Sequence, residues 1–323
     1  MAMRKTACFV CLCAFALALV CSGLAGRAEV LTSAAQAYPP AIEYQSLMQL
    51  RFYEQTGGFL VEDLEVVFPP AAGKKATFVV SKAGGQAVAT VPLRLETPLA
   101  DFTAFGMFKP DGVPGNAQVG EPGDYVLSVT IDGQPITTLP FSMKREATND
   151  PFNPKNTFVR EGPWRDLAYF SDRTETPGSH LQFNWWTSVR ELPAGSPARP
   201  LVTLHILHGG QEIAATRSPV VPTQTDWQFL YQEFEILNQK PVRWMTLADL
   251  TKKDGEYTVV AKVGGKPFKS YKAEVRGGQL QRHPRNSMDT SPRTDFISPR
   301  MVDTSSRSTS NYVMRETFWV KKI

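Results

Sequence analysis

The chain has 323 residues, of which 42% are hydrophobic and 20% are charged, so it can bury a core and does not have the composition of a disordered protein. Its net charge of +4 comes from the two ends, since residues 1–28 carry +3, residues 279–323 carry +4 and residues 29–278 carry −3. The nearly neutral central part argues against a nucleic-acid groove. The 25 prolines and 23 glycines favour a turn-rich, all-β protein over a helical one.

Residues 1–28 have the layout of a secretory signal peptide. Arg4 and Lys5 precede an apolar run from Ala7 to Cys21, and small residues follow it up to Ala28. The run is shorter than the roughly 18 residues that span a bilayer. We therefore expect a secreted or periplasmic protein whose mature chain has no transmembrane segment.

All the cysteines of the chain lie in this leader, at Cys8, Cys11, Cys13 and Cys21. Its removal would leave a mature chain without disulfides or thiolate metal sites, which is more typical of bacterial export than of an animal extracellular space. Anchoring as a lipoprotein through Cys21 is disfavoured, because the preceding Ala18-Leu19-Val20 departs from the usual lipidation motif.

Two pairs of segments repeat along the remaining chain. Residues 74–89 (KKATFVVSKAGGQAVA) and 200–215 (PLVTLHILHGGQEIAA) each predict a strand, a Gly-Gly-Gln turn and a returning strand. Residues 123–136 (GDYVLSVTIDGQPI) and 255–268 (GEYTVVAKVGGKPF) each alternate apolar and polar side chains and then reach a two-residue turn. The sequence therefore predicts two similar halves built from antiparallel hairpins.

The segments EPGDY and KKDGEY resemble the start of the penultimate strand in immunoglobulin-like domains. The resemblance implies that Tyr125 and Tyr257 are structural tyrosine-corner residues, whose hydroxyls cap the backbone of the preceding loop. Leu127 and Val259 stand where antibody domains place a cysteine, which excludes the antibody subtype. Because many bacterial sandwiches share this short motif, it argues for a fold and not for an activity.

The predicted fold is all-β, with two tandem immunoglobulin-like antiparallel β-sandwiches between an N-terminal signal peptide and a disordered C-terminal tail. We place the signal peptide at 1–28, the first sandwich at 39–146, a polar linker at 147–156, the second sandwich at 157–278 and the tail at 279–323. One helical turn is expected at Thr246-Leu-Ala-Asp-Leu250. The aromatic end of the tail, YVMRETFWV, is either a strand that docks back onto the fold or a peptide that binds a partner.

The sequence has no recognisable catalytic, cofactor or metal motif, so we expect no enzyme activity, no cofactor and no metal site. His205 and His208 lie three apart on a predicted strand, so their side chains leave on opposite faces and cannot share an ion. Trp186 and Trp227 are candidates for stacking on a ligand, although large aromatics in a sandwich are more often core.

Acidic residues occur two apart at two places, Glu62-Asp63-Leu-Glu65 and Glu233-Phe-Glu235, and each group is interpreted as a solvated strand face. The leading hypothesis is a non-enzymatic binding or scaffolding protein of the bacterial cell envelope, with an envelope protein or polysaccharide as partner and no nucleic acid. One alternative is a carbohydrate-binding module that uses exposed tryptophans. A second alternative is an envelope glycoside hydrolase with dispersed carboxylates.

Overall fold

The computed structural model describes residues 41–42, 51–53, 57–61, 64–67, 75–96, 106–111, 115–147, 156–175, 178–284, 300–303 and 313–323. The regular structure in these ranges is almost entirely strand, so the prediction of an all-β protein is confirmed. The predicted signal peptide lies outside the described residues.

The first half forms two antiparallel sheets. Its strands are β1 (Ala41–Ile42), β2 (Arg51–Tyr53), β3 (Gly58–Val61), β4 (Leu64–Val67), β5 (Lys75–Lys82), β6 (Ala87–Glu96), β7 (Gly106–Pro110), β8 (Gly115–Gln118), β9 (Gly123–Ile131), β10 (Gln134–Ala147) and β11 (Asn156–Glu161). The larger sheet has the order β1-β4-β7-β6-β5-β9-β10-β11, and the smaller one has the order β2-β3-β8.

The second half forms a closed antiparallel barrel. Its strands are β12 (Leu167–Glu175), β13 (Gly178–Thr187), β14 (Val202–His208), β15 (Gln211–Thr216), β16 (Gln228–Ile236), β17 (Gly255–Val263), β18 (Lys266–Arg276), β19 (Gln279–Leu280), β20 (Arg300–Asp303) and β21 (Val313–Lys322). Because β21 pairs with both β12 and β18, the ring β18-β17-β14-β15-β16-β13-β12-β21 closes on itself. A barrel of this kind leaves no free sheet edge in the ring.

The predicted hairpins are confirmed, because both tyrosine-led strands pair with the strand that follows them. In β9–β10 and in β17–β18 the turn residues have positive φ angles, as a two-residue turn between twisted strands requires. These turn residues are Asp132, Gly133, Gly264 and Gly265. The Gly-Gly-Gln hairpins β5–β6 and β14–β15 also form, and the predicted helical turn is α1 (Leu247–Leu250).

The structure differs from the predicted plan at two boundaries. Strand β11 pairs along β10, so the last residue of the expected linker, 156, and the first residues of the expected second sandwich, 157–161, belong to the first sheet. The aromatic end of the expected tail is strand β21 of the barrel, which corresponds to the first of its two predicted alternatives. Residues 148–155, 285–299 and 304–312 lie outside the described residues.

The buried apolar residues form two clusters. The first fills the barrel, where inward side chains alternate along each strand, as Tyr257, Val259, Ala261 and Val263 do on β17. The second joins the first half to the outer face of the barrel. Its contribution from the second half is an aromatic seam, which we define as Trp164, Tyr169, Trp186, Trp227 and Trp319. The two halves therefore share a core, whereas the sequence predicts two separate ones.

Candidate functional site

Tyr125 and Tyr257 occupy equivalent places in the two halves. The Tyr125 hydroxyl donates a 2.8 Å hydrogen bond to the Glu121 carbonyl, and the Tyr257 hydroxyl donates a 2.8 Å bond to the Lys253 carbonyl. Both rings are buried, and burial raises the pKa of each hydroxyl, so both stay protonated as donors. Each tyrosine thus fixes the backbone of the loop that precedes its strand.

The structure does not support the candidate ligand-stacking role of Trp186 and Trp227, because both rings are buried in the aromatic seam. Trp186 stacks on Trp319 at 6.3 Å between ring centroids and lies 5.0 Å from Phe229. Trp227 is 4% exposed, and the Lys269 amine lies 4.8 Å from its ring centroid. Neither ring has a face that a sugar in solvent could cover, so the tryptophans serve packing.

A buried ion pair joins the two halves beside this seam. The Arg160 backbone N–H donates to Asp226 Oδ1 at 2.9 Å, and its Nε donates to Asp226 Oδ2 at 2.8 Å. Arg160 belongs to β11 of the first sheet, whereas Asp226 precedes β16 of the barrel. The side chains are 7% and 4% exposed, so each charge depends on the other for solvation.

Lys269 is a second buried charge, on the inward side of β18. Its Nζ donates to the Trp186 carbonyl at 2.9 Å and to Glu191 Oε2 at 2.7 Å. Lys322 of β21 lies 3.4 Å from the other oxygen of Glu191. Glu191 therefore links the two strands whose pairing closes the barrel. Burial lowers the pKa of Lys269 to about 8, and the attraction of Glu191 only partly opposes this effect.

Lys269 should make stability depend on pH in the alkaline range. Its pKa falls from 10.5 in an ordinary lysine to about 8 in the fold. Between pH 8 and pH 10.5 this lysine is therefore protonated to a larger extent in the unfolded chain than in the folded one. The free energy of unfolding of the wild type should therefore rise, relative to Lys269→Met, by roughly 3 kcal/mol from pH 8 to 10.5. Urea titrations across this range measure the difference. The exposed Lys266→Met variant should follow the wild type, and a parallel course of wild type and Lys269→Met would contradict the prediction.

The predicted histidine and acid candidates take part in separate surface contacts. His205 Nδ1 lies 2.8 Å from Glu212, and its Nε2 lies 2.8 Å from the Thr203 hydroxyl. Glu233 lies 3.8 Å from His180, and Glu235 lies 3.4 Å from Arg217. Within the described ranges no group of three or more histidine, cysteine or acidic residues could hold a metal ion. Glu62, Asp63 and the side chain of Glu65 are outside the described residues.

A cleft of about 210 Å³ opens at the end of the barrel where β17 begins. Its floor is apolar and consists of the half-buried Ile213 and Ile236 and the buried Met245. Met245 is held by backbone hydrogen bonds, since its N–H donates to Phe234 and its carbonyl accepts from Leu181. The floor is therefore an apolar surface formed by β15, β16 and the segment that contains Met245.

Three cations stand at the rim of the cleft, on exposed side chains of Arg243, Lys252 and Lys253. Arg243 is oriented by a bidentate ion pair to Asp249, with N···O distances of 2.6 and 2.7 Å. Asp249 is itself fixed by the capping box of α1, in which it accepts from the Thr246 N–H and hydroxyl. The Arg243 guanidinium holds the pKa of the Asp249 carboxyl well below its usual range. With three cations and the Asp249 carboxylate, the rim thus carries a net charge of +2 at neutral pH.

One wall of the cleft is a stack of two rings. His208 stacks on Tyr257 at 4.4 Å between ring centroids, with an angle of 22° between the ring planes. Tyr257 also accounts for the position of Lys253, because its hydroxyl binds the Lys253 carbonyl. The cleft can therefore hold an anionic group near the lysines while an apolar body lies on the floor.

Sequence reasoning identified Tyr257 for its structural role and considered His208 only as a metal ligand. It missed Arg243, Lys252 and Lys253. The ion pair with Asp249 of the helical turn positions Arg243, and the hydrogen bond from the Tyr257 hydroxyl positions Lys253. The available signal was the pair Lys252-Lys253 in the repeated KKDGEY segment, next to the strand that contains Tyr257.

Among the residues described, the structure contains no helix that is long and apolar enough to cross a membrane. Comparisons of the chain with protein-family models, with curated proteins and with solved structures found no match.

Proposed function

We propose that this protein is a non-enzymatic binding protein of the cell envelope and that it binds an anionic ligand with an apolar body in the cleft. The observation that carries the proposal is the arrangement of Arg243, Lys252 and Lys253 over the apolar floor, with Asp249 already neutralised by Arg243. Positive charge that exceeds the local negative charge selects anions, and burial of apolar surface adds affinity.

The chemistry of the cleft supports binding over catalysis. Asp249 is the carboxylate among its lining residues, and its bidentate pair with Arg243 keeps it ionised. A carboxyl with a strongly lowered pKa cannot act as the general acid that glycoside hydrolysis needs. The burial of Trp186 and Trp227 likewise removes the support for a carbohydrate-binding module.

We also propose that both halves are immunoglobulin-like. In the barrel, β12-β13-β16-β15 and β14-β17-β18 follow the A-B-E-D and C-F-G orders of that fold. In the first half, β3 pairs with β8 as strands B and E do, and β5-β9-β10 follow the C-F-G order. An experimental structure without the β3–β8 or β13–β16 pairing would overturn this assignment.

Export of the protein is proposed from the leader alone. The basic start, the apolar run and the small residues up to Ala28 support cleavage by a signal peptidase. N-terminal sequencing of protein recovered from the envelope fraction should find a chain that begins near Glu29. Recovery of the chain with residues 1–28 intact would contradict the proposal.

The cleft is tested with sodium hexanoate, a carboxylate with a short apolar body, and with 1-hexanol as its uncharged analogue. Hexanoate should bind in isothermal titration calorimetry at low salt, whereas hexanol should bind at least about tenfold more weakly. Because exposed charges are screened within about 3 Å at 1 M salt, the preference for hexanoate should disappear there.

The charge dependence is tested with the double variant Lys252→Glu, Lys253→Glu. It should lower the affinity for hexanoate by about tenfold or more, since two attractive charges become repulsive. The matched control is Lys144→Glu, Lys266→Glu, which reverses two exposed lysines away from the cleft. Equal affinity in the two double variants would refute the proposed site.

A further inference from the structure

A second cavity lies on the other side of His208. It has a volume of about 250 Å³ and is lined by Leu207, Gly209, Gly210, Glu256 and Thr258 together with His208. His208 also lines the basic cleft, so the two cavities meet at this residue, one on the inner face and the other on the outer face of the β14–β17 pair. The end of the barrel therefore presents a groove with two compartments.

Glycines explain why the turn beside the groove is open and why the His208 ring can lie where it does. Gly209 and Gly210 form the β14–β15 turn with φ angles of +58° and +79°, and a Cβ on either would meet no atom within 4 Å. A Cβ on Gly255 would instead come within 2.9 Å of His208 Nε2. The absence of a side chain at Gly255 thus lets the His208 ring stack against Tyr257 on the inner face of the β14–β17 pair.

The two compartments differ in charge. The first has the cations Arg243, Lys252 and Lys253 at its rim. In the second, Glu256 forms an ion pair with Lys272, so this compartment has no excess charge. It offers polar groups instead, namely the glycine backbone and the Thr258 side chain. A matching ligand carries its negative charge and its apolar group at one end and a neutral polar chain behind them.

We propose that the groove binds the C-terminal end of an extended peptide. The terminal carboxylate lies among the rim cations, the last side chain is apolar and lies on the floor, and the backbone passes His208 so that the preceding residues occupy the second compartment. This inference deepens the proposed function and depends on it. An extended chain advances about 3.3–3.6 Å per residue, so two or three residues span neighbouring compartments of this size.

A peptide fits these observations better than an anionic sugar. Saccharides are held by flat rings exposed to solvent, and the exposed Tyr231 and the half-buried Trp244 do not line the groove. Capture of a terminal carboxylate by basic groups and backbone is, in contrast, a recurring mode of peptide recognition. A glycine turn with free space above it suits the close approach of another backbone.

The first test compares the peptide acetyl-Gly-Ser-Ala-Ala-Leu with a free carboxylate to the same peptide with a C-terminal amide. The wild-type protein is titrated with each by calorimetry. The acid should bind at least about tenfold more tightly than the amide and more tightly than hexanoate. Equal affinity for acid and amide overturns the inference, and so does preferential binding of digalacturonate, an anionic disaccharide.

The second test fills the second compartment with Thr258→Trp, a change at a half-buried strand position outside the basic cleft. It should reduce the affinity for the peptide acid to that for hexanoate while hexanoate binding stays unchanged. Undiminished peptide binding by a folded variant overturns the inference. If hexanoate binds and the peptide acid does not, the peptide inference fails alone; if neither binds, the proposed function fails as well.

Discussion

Replacement of Trp319 by alanine is expected to lower the free energy of unfolding by about 3–5 kcal/mol, as is usual when a large aromatic is removed from a core. Trp319 lies on β21, is 2% exposed, and packs 4.6 Å from Tyr169 and 6.3 Å from Trp186 between ring centroids. Its loss opens a cavity in the aromatic seam, where the barrel meets the first sheet. Urea denaturation followed by tryptophan fluorescence and by circular dichroism measures the change.

Lys321→Ala is the matched control, since Lys321 lies two residues away on the same strand with an exposed side chain. It should change stability by less than about 0.5 kcal/mol. A chain that ends before β21 should lose cooperative unfolding altogether, because the edges of β12 and β18 become unpaired and Val320 leaves the barrel interior. A cooperative transition of unchanged midpoint in that chain would show that β21 does not close the barrel.

Asp226→Ala is expected to destabilise the protein by about 3–5 kcal/mol, because it leaves the Arg160 guanidinium buried without its carboxylate. The loss should exceed that of an exposed pair such as Lys82–Glu121, where Glu121→Ala should cost less than about 1 kcal/mol. Since Arg160 and Asp226 come from different halves, the same change should loosen the attachment of the first sheet to the barrel. Equilibrium urea unfolding and limited proteolysis of the native protein report the two effects.

A double variant separates the cost of a buried charge that has lost its partner from the cost of lost packing. Arg160→Met combined with Asp226→Leu replaces both charges by apolar groups and should recover most of the stability lost in Asp226→Ala. If the double variant is as unstable as the single one, the loss comes from packing and not from an arginine that has lost its carboxylate. A loss below about 1 kcal/mol in Asp226→Ala would contradict a buried pair at this position.

The features that sequence reasoning predicted are local ones. Alternation along residues 123–131 and 255–263, followed by turn residues that accept positive φ, determines a hairpin within a few residues of chain. The helical turn at Leu247–Leu250 has its capping box in the same short segment. Elements of this kind need no information about distant parts of the chain.

The closed barrel depends on pairings between distant segments, and the sequence alone could not predict it. The composition of β21 indicates a strand, yet nothing in residues 313–322 specifies that Trp319 pairs with Tyr169 and Lys322 with Tyr271. The polar composition before β21 favoured the interpretation as a tail. For the same reason, the sequence could not predict which residues meet at the ends of the barrel.

The candidate role of Trp186 in stacking on a ligand is not supported, for a related reason. Period two correctly separates the two side chains, because Trp185 lies in the barrel cluster and Trp186 in the cluster outside it. It cannot show that the first sheet covers the outer face of the barrel, which buries the Trp186 ring. The basic cleft was missed because its floor, rim and wall come from four separate segments.

The central claim, that the cleft binds an anion with an apolar body, is tested most directly by nuclear magnetic resonance of protein labelled at its methionine methyl groups. On titration with hexanoate, the Met245 methyl signal should shift and show a nuclear Overhauser effect to the hexanoate chain, while the buried Met143 of the first half should stay unchanged. Saturable shifts at other methionines with Met245 unmoved, or no shift at any methionine, would contradict the claim.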